Sequence, residues 1–275
     1  MTSTCEQEIK QGERFEFGKN WQHFLSVLND ERIVEAEKSL KQMLKVEDLQ
    51  GQSFLDIGSG SGLFSLAAHR LGAKVHSFDY DPQSVACTQE LKQRYFPNDS
   101  SWTIEKGSVL DRNYLKSLGQ FDIVYSWGVL HHTGAMWQAL ENVSLPVARG
   151  SQLFIAIYND QGARSKFWRR VKQLYCSGLL GKSLVIFVFI PYFFLRGLAK
   201  DILTGRNPVA RYDEYKKSRG MSLTHDWYDW LGGYPFEVAT TEEIFSFYQN
   251  KGFVLKNLLT DGGGHGNNQF VFVKQ

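Results

Sequence analysis

Cysteine is scarce: Cys5, Cys87 and Cys176 are the three in 275 residues, with no CxxC spacing and no Cys/His cluster. That argues against a disulfide framework and a zinc site, predicts no metal, and suits a reducing compartment. Each reads as a small hydrophobe. No leader is expected either, because the first twelve residues are polar and no basic start precedes an apolar core. The longest apolar run, 184–195, is broken by Pro191 and falls short of the roughly 20 residues that span a bilayer. The expectation is a cytoplasmic protein, soluble or at most peripheral on a membrane surface.

Acidic residues are sparse in one stretch. Between 162 and 220 stand thirteen Lys/Arg against Asp201, Asp213 and Glu214, although the whole chain carries only +2. Elsewhere the composition is ordinary, and 43% hydrophobic residues supply a full core without staples.

Apolar residues at 33, 36, 40, 43 and 44 have helical spacing over 32–46. Then strands at 53–57, 74–78, 102–106, 121–125 and 152–158 alternate with helices at 63–71, from the Asp81 cap and Pro82 to 96, and at 136–148. Such alternation predicts βαβ units and a parallel, doubly wound α/β sheet. A last helix at 241–250 and strands at 253–259 and 269–273, joined by a glycine-rich loop, predict a hairpin that adds one antiparallel strand. The expected divisions are an N-terminal helical segment (1–50), a Rossmann-like core (51–160), an inserted helical lid (161–238) and the closing helix and hairpin (239–275). About eighty residues between the fifth strand and the last helix break the alternation, which suggests a lid packed over the ligand edge.

The first strand ends in DIGSGSG at 56–62. Glycines at 58, 60 and 62 allow a sharp turn and close approach of a ligand to bare backbone, and the next helix points its N-terminus there. A dinucleotide fingerprint needs glycine where Leu63 stands, and the Gly-Lys-Ser/Thr of a P-loop is absent. The loop therefore disfavours NAD and ATP.

Four pieces occur in family order: FLDIGSGSG at 54–62, Asp79 after the second strand, GSVLD at 107–111 and FDIVYSWGVLHH at 121–132. Here the chain resembles the class I S-adenosylmethionine-dependent methyltransferases, particularly the small-molecule branch with the ubiquinone and menaquinone methylases. The likeness covers roughly 50–160 and implies a seven-stranded Rossmann-like sheet and S-adenosylmethionine as cofactor, leaving S-adenosylhomocysteine as product. It also implies roles. Gly58, Ser59, Gly60 and Gly62 would face the methionine part, and Asp56 would help hold its ammonium. Asp79 would accept from both ribose hydroxyls, chemistry that suits a carboxylate at a strand end. Tyr80 would pack near the adenine, Asp111 accept from its amino group, and Ser126 and Trp127 line the site near the methyl. The competing reading of Asp79 and Asp111 is as surface turn acids.

Methyl transfer from a sulfonium mainly needs alignment and exclusion of water, with a base only for a protonated nucleophile. Histidine is the natural base near neutral pH. His131 and His132 follow the fourth strand, where a loop-supporting role competes with catalysis. His265 sits among glycines in the last loop, which is either a ligand contact or a flexible tip. Tyr158 and Asn159 end the fifth strand on the same face, while His225, Trp227 and Tyr234 in the insertion are candidates for touching the acceptor. The insertion mixes aromatic and basic residues, as at 167–170. It reads as a lid over an apolar or anionic substrate, as a patch touching an anionic membrane, or as a helical subdomain with its own core. The expected reaction is O- or C-methylation of a small molecule that is lipid-like, quinone-like or sugar-containing. Alternatives are an RNA or protein methyltransferase and a non-catalytic cofactor-binding protein. No nucleic-acid partner is expected, since no RNA-binding module accompanies the charge.

Overall fold

A computed structural model describes residues 4–205, 207, 223–262 and 266–275. Three helices lead in: α1 (Cys5–Lys10), α2 (Phe17–Ser26) and α3 (Asp30–Leu44). The core follows as β1 (Ser53–Ile57), α4 (Leu63–Arg70), β2 (Lys74–Asp79), α5 (Pro82–Tyr95), β3 (Trp102–Lys106), α6 (Arg112–Ser117), β4 (Phe121–Trp127), a 3-10 turn (Leu130–His132), α7 (Met136–Asn142) and β5 (Val147–Tyr158). The insertion contributes α8 (Ala163–Cys176), α9 (Leu179–Leu203) and α10 (Leu223–Gly232). The chain then closes with α11 (Thr241–Gln249), β6 (Phe253–Leu259) and β7 (Asn267–Lys274).

The seven strands run β3-β2-β1-β4-β5-β7-β6, parallel except β7, which pairs antiparallel with both β5 and β6. This is the doubly wound sheet with a closing hairpin that the alternation predicts. Successive strand residues feed opposite faces. Phe54, Ile123 and Phe154 pack with α3, α4 and α5, whereas Leu55, Val124 and Leu153 pack with α7 and α11. Both faces are covered, so the inner strands read as continuous apolar runs.

Two expectations need correction. The helix expected over 136–148 stops at Asn142. Pro146 disfavours helical backbone at Leu145, and β5 takes over at Val147. The second concerns the apolar run, which is part of one continuous 25-residue helix, α9, with Pro191 inside it. At 1.5 Å per residue α9 is about 37 Å long. By length and composition it is sufficient to cross a membrane, and 11% of its apolar window is buried.

Candidate cofactor and acceptor site

The carboxyl ends of β1, β2, β4 and β5 converge on one edge. The loop after β1 folds over β2, with the Gly58 and Ser59 N–H groups donating to the Phe78 carbonyl at 2.8 and 3.1 Å. All three glycines have positive φ. A Cβ at Gly58 would come within 2.5 Å of Val129, and one at Gly62 within 2.9 Å of the Thr88 backbone. The spacing thus seats the loop against its neighbours. Ser59 is tied down as well, its hydroxyl 2.9 Å from that of Thr88.

Asp79 ends β2 with one oxygen accepting from Gly60 N–H at 3.0 Å and the other from Asp81 N–H at 2.9 Å. Burial pushes its carboxyl up to about 6, against the pull of these two N–H groups. Asp56, expected to hold an ammonium, lies underneath instead: it is 2% exposed and accepts from the Ser65 hydroxyl at 2.5 Å. Ser65 continues to Ser77, and Ser77 to the Trp102 indole, so the carboxyl belongs to a buried network under the loop. Burial first, then the Asp79 charge, raises Asp56 to about 7. Ser126, expected to line the site, is also fully buried, and its hydroxyl ties β4 to the Ile57 carbonyl. Both residues point inward by strand alternation, whereas Trp127 is 40% exposed at the edge. Asp111 is exposed and caps α6, accepting from Asn113 and Tyr114 N–H at 3.0 Å. Its turn reading suffices to explain it.

The N-terminal arm reaches this edge, which the sequence left without a role. Gly18 N–H donates to Asp81, the Trp21 indole lies 3.0 Å from a Cβ built at Gly60, and Arg14 stacks 5.1 Å over the Tyr80 ring. Tyr80 donates its hydroxyl to Glu8, which is paired with Arg14. Arg14 also donates to the His132 carbonyl, and Phe17 rests 4.9 Å from the His132 ring. Phe17 and Trp21 are one turn apart on α2. The signal in the sequence was the aromatic spacing at 17, 21 and 24.

His131 is fully buried and accepts from Tyr158 N–H through Nδ1 at 3.3 Å, which leaves the proton on Nε2. That Nε2 has no hydrogen-bond partner among the described residues. His132 is held the opposite way: Nδ1–H donates to the Pro235 carbonyl at 2.6 Å, so Nε2 carries the lone pair. Burial, then the Lys172 and Arg14 charges, pull His132 down to about 3, and His131 is lowered too. Both are neutral near pH 7. Tyr158 joins them, its ring 4.1 Å from His131, 5.2 Å from Phe236 and 6.0 Å from Trp230.

From α8, Lys172 enters this wall. It is 1% exposed, donates to the Trp230 carbonyl, and lies 4.1 and 5.0 Å over the Trp230 and Phe236 rings. In the sequence it looked like any other lysine of the basic stretch. A cavity of about 250 Å³ opens behind Phe236, lined also by Trp137, Asp160, Lys166, Arg169 and Glu237.

The remaining candidates sit farther out. Asn159 accepts from Asn268, which also bonds Thr241 and Asp261, so this buried amide anchors the glycine-rich loop. Tyr234 accepts from Phe15 N–H through its carbonyl, and the Trp227 ring lies 5.8 Å from Phe193, inside the insertion. His265 lies outside the described residues. His225 falls within α10, its side chain undescribed. Among the described residues no cluster of three metal-ligating side chains occurs.

Residues 55–153 match the methyltransferase domain family. Over 118 residues the chain is 30% identical to the ribosomal protein L11 methyltransferase of Anoxybacillus flavithermus, a match covering 38% of each protein. The chain thus spans under two fifths of that relative's length. Magnesium protoporphyrin IX methyltransferase from Synechocystis PCC 6803, solved with bound S-adenosylhomocysteine, aligns with a TM-score of 0.51 at 15% identity, covering 100% of this chain and 89% of that one. PKMT2 from Rickettsia typhi, in complex with the same product, aligns at 0.54 and 13% identity, covering 87% and 52%.

Proposed function

We propose that the chain, whose residues 55–153 match the methyltransferase domain family, is an S-adenosylmethionine-dependent methyltransferase that methylates a small, largely apolar acceptor at oxygen or carbon. Lipid-like, quinone-like and sugar-bearing metabolites are the chemical class, in keeping with the quinone-methylase likeness of the motifs. The observation that carries this reading is the span of α2. Trp21 covers the glycine loop and Phe17 touches His132, so the two half-sites are joined by side chains about 5–6 Å apart on one helix face. An acceptor against the Tyr158, Trp230 and Phe236 wall would then lie beside a methyl donor on the loop.

The loop fits that donor. The Asp79 carboxylate stands at the strand end beside the Gly60 N–H, where a ribose diol needs an acceptor. When bound, S-adenosylmethionine supplies an electrophilic methyl on a sulfonium. Gly58, Gly60 and Gly62 permit backbone approach, Asp56 braces the loop from beneath, and Trp127 and Tyr158 border the reacting edge. Phe17, Trp230 and Phe236 exclude water. His132 presents an unprotonated Nε2, yet at about 3 it is too weak a base to hold a full proton at neutral pH. Its part is to accept a hydrogen bond from the acceptor and orient it.

Protein is the second reading, favoured by the ribosomal protein methyltransferase among the relatives. Release of S-adenosylhomocysteine separates the two. Turnover is expected with a lipid or metabolite extract and not with ribosomal protein or RNA. Turnover with ribosomal protein alone would overturn the small-molecule assignment, and no turnover despite cofactor binding would favour a non-catalytic protein.

A further inference from the structure

Helix α9 has two unlike faces. Val185, Phe189 and Phe193 turn inward to the cluster formed with Tyr175, Trp168 and Leu231. Leu180, Leu184, Phe187, Val188, Leu195 and Ile202 follow the i, i+4, i+7, i+8 spacing of the opposite face and are 50–90% exposed. Ten of the twenty exposed large hydrophobic side chains among the described residues belong to this one helix. An apolar stripe about 33 Å long far exceeds the scattered apolar exposure of an ordinary soluble surface.

The charge around the stripe says what covers it. Between 162 and 205 stand eight Lys/Arg and a single acid, Asp201, which is buried. Lys182, Arg196 and Lys200 lie on α9 itself; Arg164, Lys166 and Arg170 are exposed on α8. An apolar stripe on one side of a helix whose own cations lie toward the opposite, α8-packed side, with Lys182 over the Tyr175 ring, matches an anionic lipid surface, with acyl chains for the stripe and headgroups for the cations.

We infer that the exposed face of α9 seats the protein on an anionic bilayer, with the helix lying in the membrane plane. The helix does not cross, because its other face is packed on α8 and α10, and α8 carries exposed cations that would have to enter the hydrocarbon. Docking also gives the proposed acceptor a source. The ring contacts run unbroken from Phe189 on α9 through Trp168 and Trp230 to Tyr158 at the site. The docking itself stands without the catalytic reading.

The test is flotation of the full chain with phosphatidylcholine vesicles, with and without phosphatidylglycerol, at low and high salt. Binding at least tenfold tighter to the anionic vesicles, and weakened by salt, is expected. The exposed-face variant L184D/F187D/L195D should lose about a hundredfold in partitioning, with an unchanged unfolding midpoint and unchanged cofactor affinity. Three results would overturn the inference: folded protein that stays unbound with either vesicle, a lipid-free dimer that the triple variant dissociates, or a vesicle-bound form that alkaline carbonate does not release. None of these depends on turnover, so failure of docking and failure of the catalytic reading are told apart.

Discussion

Replacing Asp79 by Asn tests the cofactor geometry at its most specific point. The side chain keeps its shape, but one carboxylate oxygen becomes a donor. In the protein both oxygens already accept backbone N–H groups, from Gly60 and Asp81. A ribose diol would add two further charge-assisted bonds, each worth about 1.5–3 kcal/mol. Losing at least one weakens binding about 10- to 100-fold. S-adenosylmethionine and S-adenosylhomocysteine should lose equally, because the ribose is common to both. Calorimetric titration with each ligand reads this directly, and circular dichroism checks the fold. A pH series sharpens it. Burial raises Asp79 to about 6, so the carboxylate protonates as pH falls through that value and can no longer accept from both hydroxyls. Affinity of the unaltered protein should therefore fall below about pH 6, up to roughly tenfold one unit lower, whereas the Asn variant should be nearly flat. Less than threefold loss in a folded Asn variant, or parallel pH profiles, would refute the ribose assignment.

Three further perturbations follow from the same geometry. His132→Gln should lower kcat about tenfold or more while leaving cofactor affinity intact; at saturating cofactor, kcat of the unaltered enzyme should stay level from pH 5 to 8, since His132 titrates near 3, and a fall near 6.5 would mark an ordinary histidine base. Asp56 is raised from 3.8 to about 7, so its stabilising contribution is present at low pH and lost as pH rises through that window. Urea unfolding should accordingly show Asp56→Asn gaining up to about 4 kcal/mol on the unaltered protein between pH 4 and 8, and a constant difference would contradict the buried ionisation. Trp21→Ala should speed release of both cofactor forms, to about tenfold weaker binding in stopped-flow fluorescence; an unchanged off-rate would mean the arm does not cover the loop.

The sheet was legible because strands buried on both faces leave uninterrupted apolar runs, and Asp81-Pro82 marked a helix start that the structure repeats. Which of two neighbouring residues faces the ligand was less so. Asp56 and Ser126 carry suitable chemistry, but strand alternation turns both into the core. The length of α9 was hidden for a related reason. Lys182 and Arg196 bound the run in sequence, whereas on the helix they fall on the side away from the apolar stripe, Lys182 over the Tyr175 ring. The arm contacts of Phe17 with His132 and of Trp21 with Gly60 join residues 115 and 39 positions apart. No local pattern encodes that pairing. Lys172 could not be told from its basic neighbours until Trp230 and Phe236 were seen around it.

Calorimetric titration of the full chain with S-adenosylmethionine and, separately, with NAD decides whether this edge of the sheet takes S-adenosylmethionine. Micromolar binding of S-adenosylmethionine alone is the predicted result. Binding of NAD alone would contradict the reading of the glycine loop and everything built upon it.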